Sequence, residues 1–403
     1  VSLAAFGAAA IFAWLRAIER KTCASMVLAG VCSGLALGVK YPALVLVALL
    51  GLAILSRPIL DRSCHSCRGL ACALGLGTAF LAATVVVGGG WYLRAYIHTG
   101  NPVFPFFKSF FGGAGLEEVL APIKRPLATN PLALLSALVP LTLEPQRFDS
   151  FAHQFGPLFL LFLPALLLER PPRRVLGLAG LGYAFLILCM TQRQSMRFLL
   201  IALGPMSVGV AYLASRWCDR RTLPARALVV VLILVLTLET GIALARAGRV
   251  AGTVLGTESF AHCLARIEPT FRVGRWVDEH LPRRARLIGQ DHRGFYIPRD
   301  YTMELAHRRR TGLGSSGESS RQIVETLKKE GYTHLMLCPP EKKGEIEFDP
   351  TLSRLLSPWL LTHTPLYHED LTDPDGVVRH YSIYALGDGE RTAKAAGNES
   401  LRR

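Results

Sequence analysis

The feature that most constrains this chain is a series of apolar blocks, each close to the length of a bilayer-spanning helix and joined by short links rich in arginine. Leu70 to Val87, Val175 to Met190, Phe198 to Ala214 and Ala225 to Ala245 each approach the roughly 20 residues such a helix needs. The blocks stop near Arg246, and after Gly248 charges and turn residues recur every few positions. The pattern predicts a mainly α protein: a polytopic transmembrane helix bundle over residues 1–246, then a small soluble α/β domain over 250–388 and a polar tail over 389–403. The chain opens on Val1 and enters apolar sequence at once, with no initiator Met or basic leader, which reads as an N-terminally incomplete bundle.

The charge pattern narrows the function classes. A formal net charge of +15 invites nucleic acid as a partner, because a basic domain is its electrostatic footprint. Much of that excess sits in the links between apolar blocks, where the positive-inside rule accounts for it, so nucleic acid is set aside. Helices are expected near 2–16, 24–39, 41–56, 69–91, 156–169, 174–191, 197–215 and 224–245. Pro42 favours a break between the second and third over one continuous rod.

If these helices alternate, four basic links fall on one side: Arg16, Arg20 and Lys21; Arg57, Arg62 and Arg68; Arg170, Arg173 and Arg174; Arg216, Arg220, Arg221 and Arg226. That side is cytoplasmic. The outer side receives Lys40, a long loop over 92–155, the short link Thr191 to Met196, and the soluble domain. The long loop exceeds a connector's length and begins with aromatics that suit a membrane interface. Within it, Pro131 to Leu143 is too short to span and reads as one interfacial or re-entrant helix.

In the soluble domain an amphipathic helix at Arg272 to His280 precedes a strand at Ala285 to Gly289, and a helix at Ser320 to Lys329 leads through Gly331 into a strand at Thr333 to Cys338. Strands at Leu366 to His368 and Val377 to Tyr384 flank a turn at Asp373 to Gly376. Cys263 and Cys338 fall in this domain and would pair only if the fold brings them together in an oxidising compartment. Cys64-His65-Ser66-Cys67 lacks the second ligand pair of a structural zinc site, so no metal is assigned.

Three outer clusters carry candidate chemistry. Trp91, Tyr92, Arg94, His98 and Asn101 combine rings for a lipid groove with a guanidinium for phosphate; the plainer reading is an aromatic belt with a snorkelling Arg. Arg193 and Arg197 lie in a short outer link, against the positive-inside bias, which suggests anion binding or simple snorkelling. Lys40 and Tyr41 sit between two short helices, as a phosphate contact or as hairpin polarity. Were Lys40, Arg94 and Arg193 or Arg197 to converge, one cavity would hold a cationic clamp for an isoprenoid phosphate. The carboxylates Glu117, Glu118, Glu144 and Asp149, and the lone His153, show no spacing that marks a general base, so the catalytic residue stays unknown. The sequence calls for no cofactor and leaves a divalent metal open.

These residues carry a resemblance. Gly34-Leu35-Ala36-Leu37-Gly38-Val39-Lys40-Tyr41, then Trp91 to Arg94 with Thr99-Gly100-Asn101-Pro102-Val103-Phe104-Pro105-Phe106, then Gln194 to Leu200, resemble bacterial membrane glycosyltransferases of the GT-C type, relatives of dolichyl-phosphate-mannose protein mannosyltransferases and of the RgtA/B/C/D-like group. The likeness covers roughly residues 25 to 245. It implies a transferase that moves a sugar from a polyprenyl-phosphate donor to an acceptor hydroxyl at the outer face of the bacterial inner membrane, with membrane lipid as its surroundings. It also implies a catalytic carboxylate in the first outer loop, which here would precede Val1. A different class remains open: a non-catalytic membrane assembly subunit or lipid-linked-glycan carrier with an outer interaction domain. Acceptor, sugar and oligomeric state are not encoded in any motif.

The link asymmetry makes a direct prediction. Alkaline phosphatase fused after Gly248 is active and green fluorescent protein fused there is dark, because the domain lies outside; the opposite pair of results would invert the topology.

Overall fold

A computed structural model describes residues 2–20, 22–60, 67–104, 107–111, 130–144, 148, 155–191, 196–220, 222–291, 293–304, 319–341, 351–372 and 377–387. The chain is mainly helical and divides into two compact units, one of described residues up to Ile242 and one from Ala243 onward.

The first unit is built from α1 (Ser2–Arg20), α2 (Cys23–Val39), α3 (Ala43–Leu60), α4 (Cys67–Thr99), the short α5 (Lys108–Phe111), α6 (Pro131–Leu135) and α7 (Leu138–Leu143), then α8 (Pro157–Leu168), α9 (Arg173–Met190), α10 (Leu200–Asp219) and α11 (Leu223–Val254). Among the described residues four helices are long and apolar enough to cross a membrane: Ser2–Arg20, Ala71–Thr99, Arg173–Met190 and Leu223–Val254; α2, α3 and α8 contribute shorter apolar helices. Their outward faces are apolar too, with Val86 83% and Leu234 63% exposed, a surface compatible with a membrane protein.

Small residues set the closest helix contact. Gly34 on α2 faces Gly88 on α4 so closely that a Cβ on Gly34 would come 2.8 Å from the Thr84 carbonyl oxygen, and one on Gly88 would come 2.8 Å from the Gly34 carbonyl oxygen. Stripes of this kind let membrane helices approach backbone to backbone. The Thr84 hydroxyl donates to the Gly30 carbonyl across the same seam at 3.1 Å. Around it α1 packs on α2, α3 on α4, and α10 on α1, α8 and α9. Glu19 pairs with Arg174 at 3.0 Å, joining the α1 C-terminus to the α9 N-terminus. Glu169 takes the Trp217 indole N–H at 3.0 Å and an Arg220 guanidinium at 2.7 Å, joining the α8 end to the α10 end.

Several expectations change. The fourth helix runs on to Thr99 instead of ending at 91, because no Pro or Gly interrupts Trp91 to Thr99; Gly100, at φ +70°, then stops it, and the connection to α5 starts there. The break at Lys40 holds, with Lys40 in extended backbone (φ −167°, ψ 144°). Pro131 to Leu143 is two short helices rather than one. Before α10, Met196–Phe198 forms a 3-10 turn.

The second unit holds α12 (Phe260–Ile267), α13 (Pro269–His280), β1 (Arg286–Gly289), β2 (Asp300–Met303), α14 (Ser320–Lys329), β3 (His334–Leu337), α15 (Thr351–Leu355), α16 (Ser357–Leu360), β4 (Tyr367–Thr372) and β5 (Val378–Ala385). The strands form one sheet in the order β2-β1-β3-β5-β4, parallel among β2, β1 and β3 and antiparallel from β3 through β5 to β4. Alternation divides the side chains between two cores: Ile288, Leu335 and Leu337 meet α14, α15 and α16, while Leu287, Met336, Tyr381 and Ile383 meet α13. The capping box of Ser319 with Gln322 starts α14, and Gly331, at φ +88°, ends it as expected.

Strand β2 was not anticipated: it has four residues without a marked apolar alternation, and it exists through pairing with β1. Cys263 and Cys338 do not pair; both are buried free thiols. Cys64 to Ser66, Asp373 to Gly376 and the tail 389–403 lie outside the described residues.

Gly34→Leu should destabilise the bundle by about 1–3 kcal/mol, as overpacking does in a filled seam. Gly38→Leu, where a Cβ meets nothing within 4 Å, should leave the melting temperature unchanged. Equal melting shifts for the two would mean that the seam does not set the α2–α4 contact.

Candidate functional site

The candidate residues collect at the end of the first unit opposite Glu19, Arg174, Glu169 and Arg220, where α2 turns into α3, α4 ends and α10 begins. Extended Lys40 and Pro42 redirect the chain there and leave Tyr41 half-buried between the helices. The Tyr41 hydroxyl donates to the Phe104 carbonyl at 2.7 Å. Its ring meets Tyr92 edge to face, centroids 5.7 Å apart at 86°.

Phe104 is held by the turn after α4. The Thr99 hydroxyl accepts from the Asn101 amide at 3.2 Å, and the Asn101 side-chain oxygen accepts from the Val103 amide at 2.9 Å, an Asx turn that accounts for a fully buried Asn. Asn101 thus shapes the turn that presents Phe104. The Tyr92 hydroxyl is buried and has no hydrogen-bond partner among the described residues.

On the other side of Lys40 lies Phe198. The Lys40 ammonium stands 4.4 Å from the centre of its ring, and the Arg197 guanidinium stands 5.6 Å from the same centre. One buried ring therefore meets two cations that are far apart in sequence, and its quadrupole attracts both. Phe198 is the cluster member that sequence reading passed over, since nothing in the Arg197-Phe198 pair marks its ring as shared with Lys40.

Arg94 does not join them. It lies two residues past Tyr92, about 200° around the helix; it is exposed, with its guanidinium 5.9 Å from the exposed Trp91 ring. His98 is exposed as well. Arg193 lies outside the described residues, as do Glu117, Glu118, Asp149 and His153. Glu144 follows α7 as its C-terminal cap residue. Among the described residues no group of three or more His, Cys, Asp or Glu could hold a metal ion.

Glu239, the acidic residue of α11, has a local task. Its carboxylate accepts the Leu158 amide at 3.1 Å, capping the N-terminus of α8, and Gly156 leaves the room it needs.

The cluster thus brings two cations to one aromatic ring, beside the buried Tyr92 hydroxyl and the Tyr41–Tyr92 ring pair. No protein-family model and no curated protein matches the chain.

Tyr41→Phe keeps the ring contact and deletes the bond to Phe104, so it should cost about 0.5–1.5 kcal/mol and raise hydrogen exchange at Val103 and Phe104. Unchanged exchange would remove Tyr41 as the tie between the two helix ends.

Proposed function

We propose that this chain forms the helical membrane bundle and outer α/β domain of a glycosyltransferase whose donor is a polyprenyl-phosphate-linked sugar, acting at the outer face of the bacterial inner membrane. The observation that carries the reading is the convergence of Lys40 and Arg197 on Phe198, beside Tyr41 and Tyr92, at the end of an apolar bundle. A lipid-linked phosphate needs this combination: cations for the headgroup and apolar surroundings for the chain behind it. The resemblance of the Gly34 to Tyr41, Trp91 to Phe106 and Gln194 to Leu200 segments to GT-C glycosyltransferases supports the same chemistry.

In the proposed reaction the acceptor hydroxyl oxygen bonds to the anomeric carbon as the bond from that carbon to the donor phosphate oxygen breaks. A base takes the hydroxyl proton, and the departing phosphate gains negative charge. Lys40 and Arg197 lower the barrier by stabilising that charge where it develops. Tyr92 offers a hydroxyl to the same headgroup. The base belongs to no residue of the described cluster, an observation that favours the second reading, a non-catalytic membrane subunit or carrier that holds a lipid-linked glycan.

Membranes containing the complete protein should transfer label from a radiolabelled polyprenyl-phosphate sugar to a lipid or glycan acceptor. Lys40→Ala and Arg197→Ala should each lower the rate about ten-fold or more, the loss expected for a charge-assisted contact, whereas Arg94→Ala should retain most of it. Binding of the labelled donor without transfer would select the carrier reading, and full rates in both cation variants would remove the cluster from the site.

A further inference from the structure

The second unit carries a group of side chains that the bundle's chemistry does not use. Strand β1 lies between β2 and β3, both parallel to it, so the chain leaves β1 toward one side and later returns to the other. Open sheets bind ligands outside the carboxyl ends of their strands at such a switch point. The segment leaving β1 here is Arg293-Gly294-Phe295-Tyr296, with Gly294–Tyr296 in a 3-10 turn.

Its aromatics form one platform. Phe295 is 78% exposed, and its ring centre lies 4.2 Å from that of Tyr296. Tyr296 in turn meets Phe271 of α13 edge to face at 5.8 Å. Behind the rings the polar groups are matched. Buried Asp291 accepts from the Thr270 hydroxyl at 2.5 Å, the Tyr381 hydroxyl at 2.8 Å and the Arg293 amide at 2.8 Å. The Arg293 guanidinium pairs with Glu268 at 2.6 Å.

The charges disfavour an anionic ligand. Thr270 is the second residue of α13, so the Asp291 carboxylate already lies at the helix end that attracts anions. Glu268 likewise answers Arg293. An incoming phosphate or carboxylate would meet two carboxylates and one paired cation. A neutral polyol meets partners instead: its C–H-rich face, slightly positive, lies on the electron-rich ring faces, and its hydroxyls donate to Glu268 and accept from Arg293.

We propose that Phe295, Tyr296 and Phe271, with the Arg293–Glu268 pair, form a binding platform for a neutral saccharide on the α/β domain. Binding here stands apart from the transferase reading, because it is measured without transfer.

The test uses the complete chain purified in a sugar-free detergent, with cellotriose and triacetylchitotriose as probes and saturation-transfer NMR as readout. Saturation should reach at least one probe's ring protons and fall about five-fold or more in Phe295→Ala, the order expected for one lost aromatic contact. Phe295→Trp should keep the signal, and Phe260→Ala, at another exposed ring of this domain, should leave it unchanged. All variants are compared at matched melting temperature. No transfer to either probe in the native chain, or equal transfer in Phe295→Ala, overturns the proposal. It is equally overturned if the Phe295→Trp emission shifts to the blue with phosphatidylglycerol vesicles and ignores both saccharides, since the ring would then be a membrane contact.

Discussion

The first unit depends on how closely two helix backbones approach at Gly34 and Gly88. With no side chain on Gly34 or Gly88, the backbones of α2 and α4 come into direct contact there, and the Thr84 hydroxyl reaches across to the Gly30 carbonyl. Dispersion at short range and a hydrogen bond hold such a small-residue seam. The end of α2 is thereby fixed beside the end of α4, which brings Tyr41 within 5.7 Å of Tyr92 and its hydroxyl onto Phe104. Everything in the candidate site is downstream of that approach.

Placement of charge follows the same economy of means. At one end of the bundle Glu19 meets Arg174 and Glu169 meets Trp217 and Arg220, which ties helix ends together pairwise. At the other end Lys40 and Arg197 are gathered by a ring. The two ends therefore differ in kind, one tied by carboxylates and the other gathering cations at an aromatic ring. The α/β unit follows the opposite plan: Asp291 is saturated by hydroxyls and an amide, and Arg293 by Glu268, leaving aromatic surface as its outward feature. Burial, then the Asp291 charge, push the Tyr381 hydroxyl above its usual range, so Tyr381 remains a donor in that network.

Much of this was legible along the chain. Apolar blocks of span length, the Pro42 break, the Ser319 cap and Gly331 all announce themselves locally, because helix length, proline geometry and positive φ are properties of a few consecutive residues. Lys40, Tyr41, Tyr92, Asn101 and Arg197 could be named from residue type and sidedness. Their grouping could not, and neither could the exclusion of Arg94, which differs from Tyr92 only by its angle around α4. Strand β2 was hidden for a related reason, since a four-residue strand is defined by its partner.

By itself, then, the sequence determined the mainly helical class, the small sheet in the C-terminal region and the residue types available to each unit. Tertiary structure alone decided that one phenylalanine ring collects cations from residues 40 and 197, that Cys263 and Cys338 stay apart, and that β1 lies between β2 and β3. The physical reason is range. Hydrophobic periodicity, proline and glycine act over neighbours in the chain, whereas ring contacts, thiol separation and strand order depend on distances that only the packed helices and sheet set.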